Sequence, residues 1–294
     1  MPRPTFSPST GLAITCMLVS TMLIASMHTT VRGLSDDLHP FVIVFFRNLF
    51  GLFAVAPLIL RAGVTSLKTD HTKLYVLRAL IGITAMMSWF YALSLVPLTN
   101  ATAISFSTTI FATLSAWLFL GEKMRLRRWA AIVIGLVGVI VVLQPDTGGF
   151  NRYSLLVIFS AAAWGTSISI VKRLSAVESV TSIVAWMSIS LTILSLPPAL
   201  YFWQTPTINQ FWWLALIGVL ATGGHLLMTQ ALQMADTAVV MSMDFTRLIW
   251  TAILGAWLFN EALNTWTAVG ATIIFAAGWY IIFRETKLKA TQSH

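Results

Sequence analysis

Ten runs of fifteen to twenty-seven mostly apolar residues follow one another along this chain, separated only by short polar or Pro/Gly breaks. They occupy residues 11–31, 40–60, 74–95, 99–120, 129–143, 153–171, 177–203, 211–234, 237–259 and 265–283. About twenty apolar residues make a helix long enough to cross ~30 Å of hydrocarbon. In lipid the backbone must satisfy its own polar groups, so each run is expected to be a helix. The breaks leave no room for a separate aqueous domain. Only 10% of residues are charged and the mean hydropathy is +0.82, against about 25% charged residues in soluble domains. The expected class is therefore an all-α membrane protein with ten transmembrane helices, and membrane lipid is its surrounding partner.

The net charge of +8 does not point to nucleic acid, because the basic residues are scattered at the ends of apolar runs and form no patch. The single cysteine, Cys16, cannot form an internal disulfide. The first apolar run is too long for a signal-peptide core and is expected to be a retained helix. If the N-terminus is cytoplasmic, the inside segments hold thirteen Lys and Arg residues and the outside loops hold only Arg32 and Arg152. That bias orients both termini inward, in a cell inner (plasma) membrane.

The two halves of the chain resemble each other. Val31-Arg-Gly-Leu-Ser35 matches Val171-Lys-Arg-Leu-Ser175 at an offset of 140, as Pro57 matches Pro197. Ala92-Leu93 matches Ala231-Leu232, Phe106 matches Phe245 and Glu122 matches Glu261, all at an offset of 139. Ala116-Trp-Leu-Phe119 returns as Ala256-Trp-Leu-Phe259. Residues 1–145 and 146–294 are thus expected to form two five-helix repeats. Five is odd, so the second copy must cross the membrane upside down, the arrangement of secondary transporters built around a midplane site.

Two segments carry a further resemblance. Tyr91-Ala-Leu-Ser-Leu-Val-Pro-Leu-Thr-Asn-Ala-Thr-Ala103, and the stretch from Ala116-Trp-Leu-Phe-Leu-Gly-Glu-Lys to Ile140, resemble the EamA repeat of the drug/metabolite transporter superfamily. The second half repeats the pattern more loosely. The resemblance implies a central cavity between two inverted five-helix repeats and transport of small metabolites. One departure stands out: many relatives carry a proline in the fourth helix of each repeat, where this chain has Ser107-Thr-Thr-Ile-Phe111 and Thr246-Arg-Leu-Ile-Trp250.

The candidate site residues are the polar and aromatic side chains inside these spans. Asp244 and Arg247 lie three apart in the ninth span, so they share a helix face and can pair. A charge at mid-helix costs ~2.5–3.5 kcal/mol on the insertion scale, and the first copy has Ser105 and Thr108 at those positions, so fold symmetry does not demand the pair. It reads either as a structural ion pair or as a cavity wall on which Arg247 meets a substrate carboxylate and Asp244 an ammonium. Arg47 has no acidic neighbour in its own helix. Arg78, near the start of the third span, is expected to snorkel to the interface. His28 and His225 are packing residues or substrate donors, and Asp244 and His225 are the candidate proton-coupling groups. No carboxylate or cysteine stands at metal-ligand spacing from either histidine. Trp89, Tyr91 and Trp164 are candidate cavity aromatics, with Trp250 beside them, and Tyr91 is expected near the mouth. Trp203, Trp212, Trp213 and Trp266 fit an interfacial belt. The glycines at 135 and at 223–224 suit close helix contact.

These features point to a non-enzymatic secondary transporter working by alternating access. It is expected to act as a monomer, on a small-molecule substrate and with protons as a candidate coupling ion. No nucleotide motif or cofactor site is present. An exporter of amino acids, including aromatic ones, is the first expectation. Riboflavin, nucleoside and S-adenosylmethionine carriers share the scaffold, and an integral membrane enzyme is the rival from another class, although no GxSxG or HExxH motif occurs.

Overall fold

The computed structural model describes residues 8–62, 69–120, 126–143, 151–174, 178, 180–234, 243–244, 246–261 and 264–292. Eleven helical segments are seen among them: α1 (Pro8–Leu34), α2 (Pro40–Ala62), α3 (Thr72–Leu93), α4 (Leu98–Ser105), α5 (Thr108–Leu120), α6 (Leu126–Leu143), α7 (Ser154–Leu174), α8 (Val180–Tyr201), α9 (Ile208–Met234), α10 (Thr246–Phe259) and α11 (Thr265–Gln292). No strand occurs among the described residues. Among the described residues, six stretches are long and apolar enough to span a membrane, one of them running through α4 and α5 together, and shorter apolar helices lie in α6, α8 and α10. Glu122, Phe245 and residues 237–242 of the ninth span lie outside the described residues.

Proline sets several boundaries. Pro40 opens α2, where its missing N–H would have had no helical partner. Pro97 stands in extended backbone (φ −51°, ψ 134°) between α3 and α4, after the Val96 N–H has closed α3 onto the Ala92 carbonyl at 2.8 Å.

The helices pack in exchanged pairs. α1 lies on α9 as α7 lies on α3; α2 lies on α9 as α8 lies on α3; α1 meets α10 as α7 meets α5. α2 against α8 and α6 against α11 complete the set. Interchanging the two repeats maps these contacts onto one another. The correspondence extends to single hydrogen bonds. Ser20 Oγ donates to the Gly224 carbonyl at 2.7 Å, joining α1 to α9. Ser160, 140 positions after Ser20, donates to the Ala85 carbonyl at 2.8 Å, and Ala85 stands 139 positions before Gly224. Both serines are buried. Hydroxyl–carbonyl bonds of this kind, with close backbone approach, hold helices together where lipid removes the hydrophobic drive for association.

The close approaches fall at glycines. A Cβ on Gly135 would lie 2.2 Å from Ile110 Cδ1, and one on Gly224 would lie 2.7 Å from Ile24 Cγ1, so both expected contact points are real. Gly165 of α7 faces backbone: a Cβ there would meet Ala112 N at 2.6 Å, Phe111 C at 2.8 Å and the Thr108 carbonyl at 2.9 Å.

The fourth span is broken, contrary to the continuous helix expected over 99–120. The Phe106 and Ser107 N–H groups turn to carbonyls three residues back (Ala103, 3.3 Å; Ile104, 3.0 Å), and the helix restarts as Ile110 and Phe111 bond the Ser107 carbonyl. Hydroxyl residues crowd this point, and Ser105 Oγ bonds the Thr102 carbonyl at 2.7 Å. Such side chains compete with the helical ladder and weaken it without a proline.

Because the atoms facing Gly165 are backbone, Gly165→Ala is expected to lower the thermal midpoint of the detergent-solubilised protein, through overpacking of about 1–3 kcal/mol. Gly11→Ala, which meets nothing within 4 Å, should not lower the midpoint.

Candidate functional site

In the second repeat the described fourth-span helix also starts late. α10 begins only at Thr246, and Asp244 stands in a turn before it, with the Arg247 N–H bonded to the Asp244 carbonyl at 3.0 Å. Asp244 is therefore not inside a continuous helix, as its sequence position suggested. It lies beside the N-terminus of α10, where the helix dipole favours negative charge. Its carboxylate takes Arg247 Nη2 at 3.2 Å.

The two interruptions meet. The Arg247 guanidinium lies over the ring of Phe106, at the break of the first copy, with Cζ 5.2 Å from the centroid. Thr246 and Thr21 share a 2.9 Å hydroxyl contact that ties the start of α10 to α1. One turn further along α10, on the face of Arg247, stands Trp250.

Around this junction the structure gathers most of the expected residues. His28 of α1 accepts a hydrogen bond on Nε2 from Trp89 Nε1 at 3.1 Å, with the rings 5.1 Å apart. That bond leaves the imidazole proton on Nδ1, and Nδ1 has no partner among the described residues. His28 is only 6% exposed. Arg47 of α2 is 8% exposed; its Nη1 donates to Asn48 Oδ1 at 2.9 Å while its Nε has no partner. Asn48 is anchored in turn on the Leu191 carbonyl and Ser195 Oγ of α8, both at 3.4 Å. The Nε of Arg247 and Nε1 of Trp250 are also buried without a partner. Both histidines, His28 and His225, lie within the electrostatic reach of Arg47 and Arg247. Four helices thus supply two guanidiniums and two imidazoles against one carboxylate. Buried donors without acceptors, and a surplus of positive charge, suit an anionic group such as a carboxylate.

Two expected aromatics lie apart. Tyr91 sits at one end of the bundle, 6.2 Å from the ring of His39 and 6.5 Å from Tyr153, in keeping with a mouth position. Trp164 packs at Gly82 of α3, seven residues from Trp89. Arg78 does not snorkel. It is 8% exposed, with Nη2 2.9 Å from Met187 Sδ, because α8 covers it. The four belt tryptophans, 203, 212, 213 and 266, are exposed. Thr21, Phe106 and Thr246 were missed from sequence, although the repeated Phe106/Phe245 match was a signal for the first break. A cavity of about 330 Å³ between α6 and α11, lined by Ala130, Ala131, Ile134, Ala276, Ala277 and Tyr280, carries no charge and is not part of this site.

Asp244→Asn should leave Arg247 buried without a counter-charge and destabilise the protein by about 1.5–3 kcal/mol. The double variant Asp244→Asn/Arg247→Gln should recover part of that loss, as read by thermal unfolding in one detergent.

Both halves of the chain, residues 11–144 and 151–283, match the EamA-like transporter family. The chain is 32% identical over 280 residues to an S-adenosylmethionine uptake transporter of Rickettsia bellii (strain RML369-C), covering 94% of this chain and 95% of that one. It is 29% identical to a riboflavin transporter of Rhizobium johnstonii (strain DSM 114642 / LMG 32736 / 3841), covering 83% and 81%. A protein of known crystal structure shares the fold with a TM-score of 0.63 at 18% identity, over 95% of this chain and 98% of that one. With its two matched repeats and its many apolar helices, this chain belongs to the EamA-like family and is a multi-pass membrane transporter of small metabolites.

Proposed function

We propose that this chain is a secondary carrier for a metabolite that joins an α-amino acid group to a planar ring, with S-adenosylmethionine as the first candidate. The observation that carries this reading is the Arg247–Asp244 pair set against Phe106, together with the buried donors of His28, Arg47, Arg247 and Trp250 that have no acceptor among the described residues. A guanidinium takes a carboxylate in a bidentate pair, Asp244 suits an ammonium, and aromatic faces suit both an adenine ring and a sulfonium cation. The S-adenosylmethionine uptake transporter among the relatives supports this choice over the aromatic amino acid exporter expected first. Riboflavin, the cargo named for another relative, offers the ring but no amino acid group.

The two repeats are inverted in the membrane and rock about this site by alternating access. The odd helix number of each repeat supports the inversion, and the exchanged packing supports the rocking. The Lys/Arg bias supports an inner-membrane location with both termini cytoplasmic. Asp244 and His225 remain the groups through which a proton would couple.

Counterflow in proteoliposomes tests the reading. S-adenosylmethionine on the trans side should accelerate uptake of labelled S-adenosylmethionine, and its decarboxylated analogue should compete at least about tenfold more weakly. Arg47→Gln should raise KM by a similar factor. Equal competition by the decarboxylated analogue would remove the carboxylate from the recognition scheme. Acceleration by riboflavin alone would replace the substrate.

A further inference from the structure

At one end of the bundle a second ion pair joins the repeats. Arg32, in the last turn of α1, sets Nε 3.1 Å from Oε1 of Glu261, which lies just beyond α10. The guanidinium also donates through Nη1 to the Leu93 carbonyl at 2.6 Å and the Val96 carbonyl at 2.8 Å, at the end of α3. The other carboxylate oxygen of Glu261 accepts the Leu98 N–H at 2.9 Å, at the start of α4. Four segments from both repeats therefore close on two side chains. The Phe259 ring supports the guanidinium from 5.4 Å.

The backbone is shaped to deliver the carboxylate. Asn260 adopts a left-handed conformation (φ 53°), which Asn tolerates better than most residues, and turns the Glu261 N–H back to the Gly255 carbonyl at 3.1 Å. A Cβ at position 255 would lie 3.2 Å from Glu261 Oε2, so the glycine leaves the carboxylate its seat. The pair is largely shielded, with the Arg32 and Glu261 side chains 22% and 11% exposed. Thr99, the second residue of α4, is 5% exposed, and its Oγ1 would lie 3.5 Å from a Cβ at position 255.

We propose that Arg32 and Glu261 are positioning residues for transport: they form a latch that holds this end of the pathway closed and must part before a substrate can pass there. A helix cap or a fixed structural bridge would stabilise either repeat alone, whereas these two side chains tie α1, α3 and α4 of one repeat to α10 of the other. Movement of one repeat against the other at this end stretches this pair. The charges recur in the sequence, with Lys172 standing 140 positions after Arg32 and Glu122 139 before Glu261. Each copy thus carries a base near the end of its first span and an acid after its fourth. The latch rests on the alternating-access reading, but its test reads conformation and not transport.

The experiment uses the full chain in nanodiscs, with Cys16→Ser and the reporter Thr99→Cys, and follows labelling by a hydrophilic maleimide. In this background labelling should be slow. Glu261→Gln keeps an acceptor for the Leu98 N–H and removes the charge, so it should speed labelling about fivefold. Arg32→Gln should do the same, and the double variant should be no faster than either single one, because all three lose one shared contact. Unchanged labelling in both single variants, with unfolding midpoints retained, would overturn the latch. So would additive acceleration in the double variant, or rapid labelling of the background itself. Should counterflow fail with every substrate while labelling follows this pattern, the cargo assignment falls and the latch stands.

Discussion

A guanidinium inside a membrane bundle must find its partners within the protein, because hydrocarbon offers none. Much of the centre of this molecule follows from that demand at Arg247. The interrupted start of α10 places Asp244 beside it, the broken fourth span of the first repeat presents Phe106 to its face, and α1 closes on the junction through Thr21. Arg47 meets the same demand through Asn48, which is itself fixed on α8. These partners cover only part of the donor capacity. Nε of both arginines stays buried without an acceptor among the described residues, and that remainder is the ground for proposing a binding site here and not a closed structural pair.

The scaffold around it is held by a different economy of forces. Lipid tails are as apolar as leucine, so helices associate here through close packing and hydrogen bonds across helices. The paired Ser20–Gly224 and Ser160–Ala85 bonds show both at once, since each needs a backbone carbonyl brought within reach of a buried hydroxyl. Their recurrence at matched positions means that the two copies use one packing solution twice. Broken fourth helices fit the same logic. Irregular backbone at membrane depth is tolerated where protein surrounds it, and here the two irregular points face each other across the repeat boundary.

Much of the architecture was legible in the chain. Apolar run length marked the helices, and the offset of 139–140 marked the repeat. Ser20 and Ser160 stand at the same offset, although nothing in a lone serine announced their bonds. His28, Arg47, Asp244 and Arg247 were readable because polar groups in apolar runs are rare and costly. The grouping was harder to see. Tyr91 and Trp164 looked as good as Trp89 from sequence, yet only Trp89 reaches His28, because helix azimuth depends on how neighbouring helices pack. Arg78 looked free to snorkel until α8 covered it.

By itself the sequence determined that this chain crosses a membrane many times, in two related halves, with a few charges that lipid could not have tolerated unpaired. Those conclusions follow from local quantities: run length, residue polarity and a repeated register. Only the tertiary structure decided that the charges of α2 and α10 share one centre with the histidines of α1 and α9, and that Glu261 reaches across to Arg32. Contacts between residues some two hundred positions apart depend on helix rotation and on backbone breaks of a single turn, which the pattern of apolar residues does not encode.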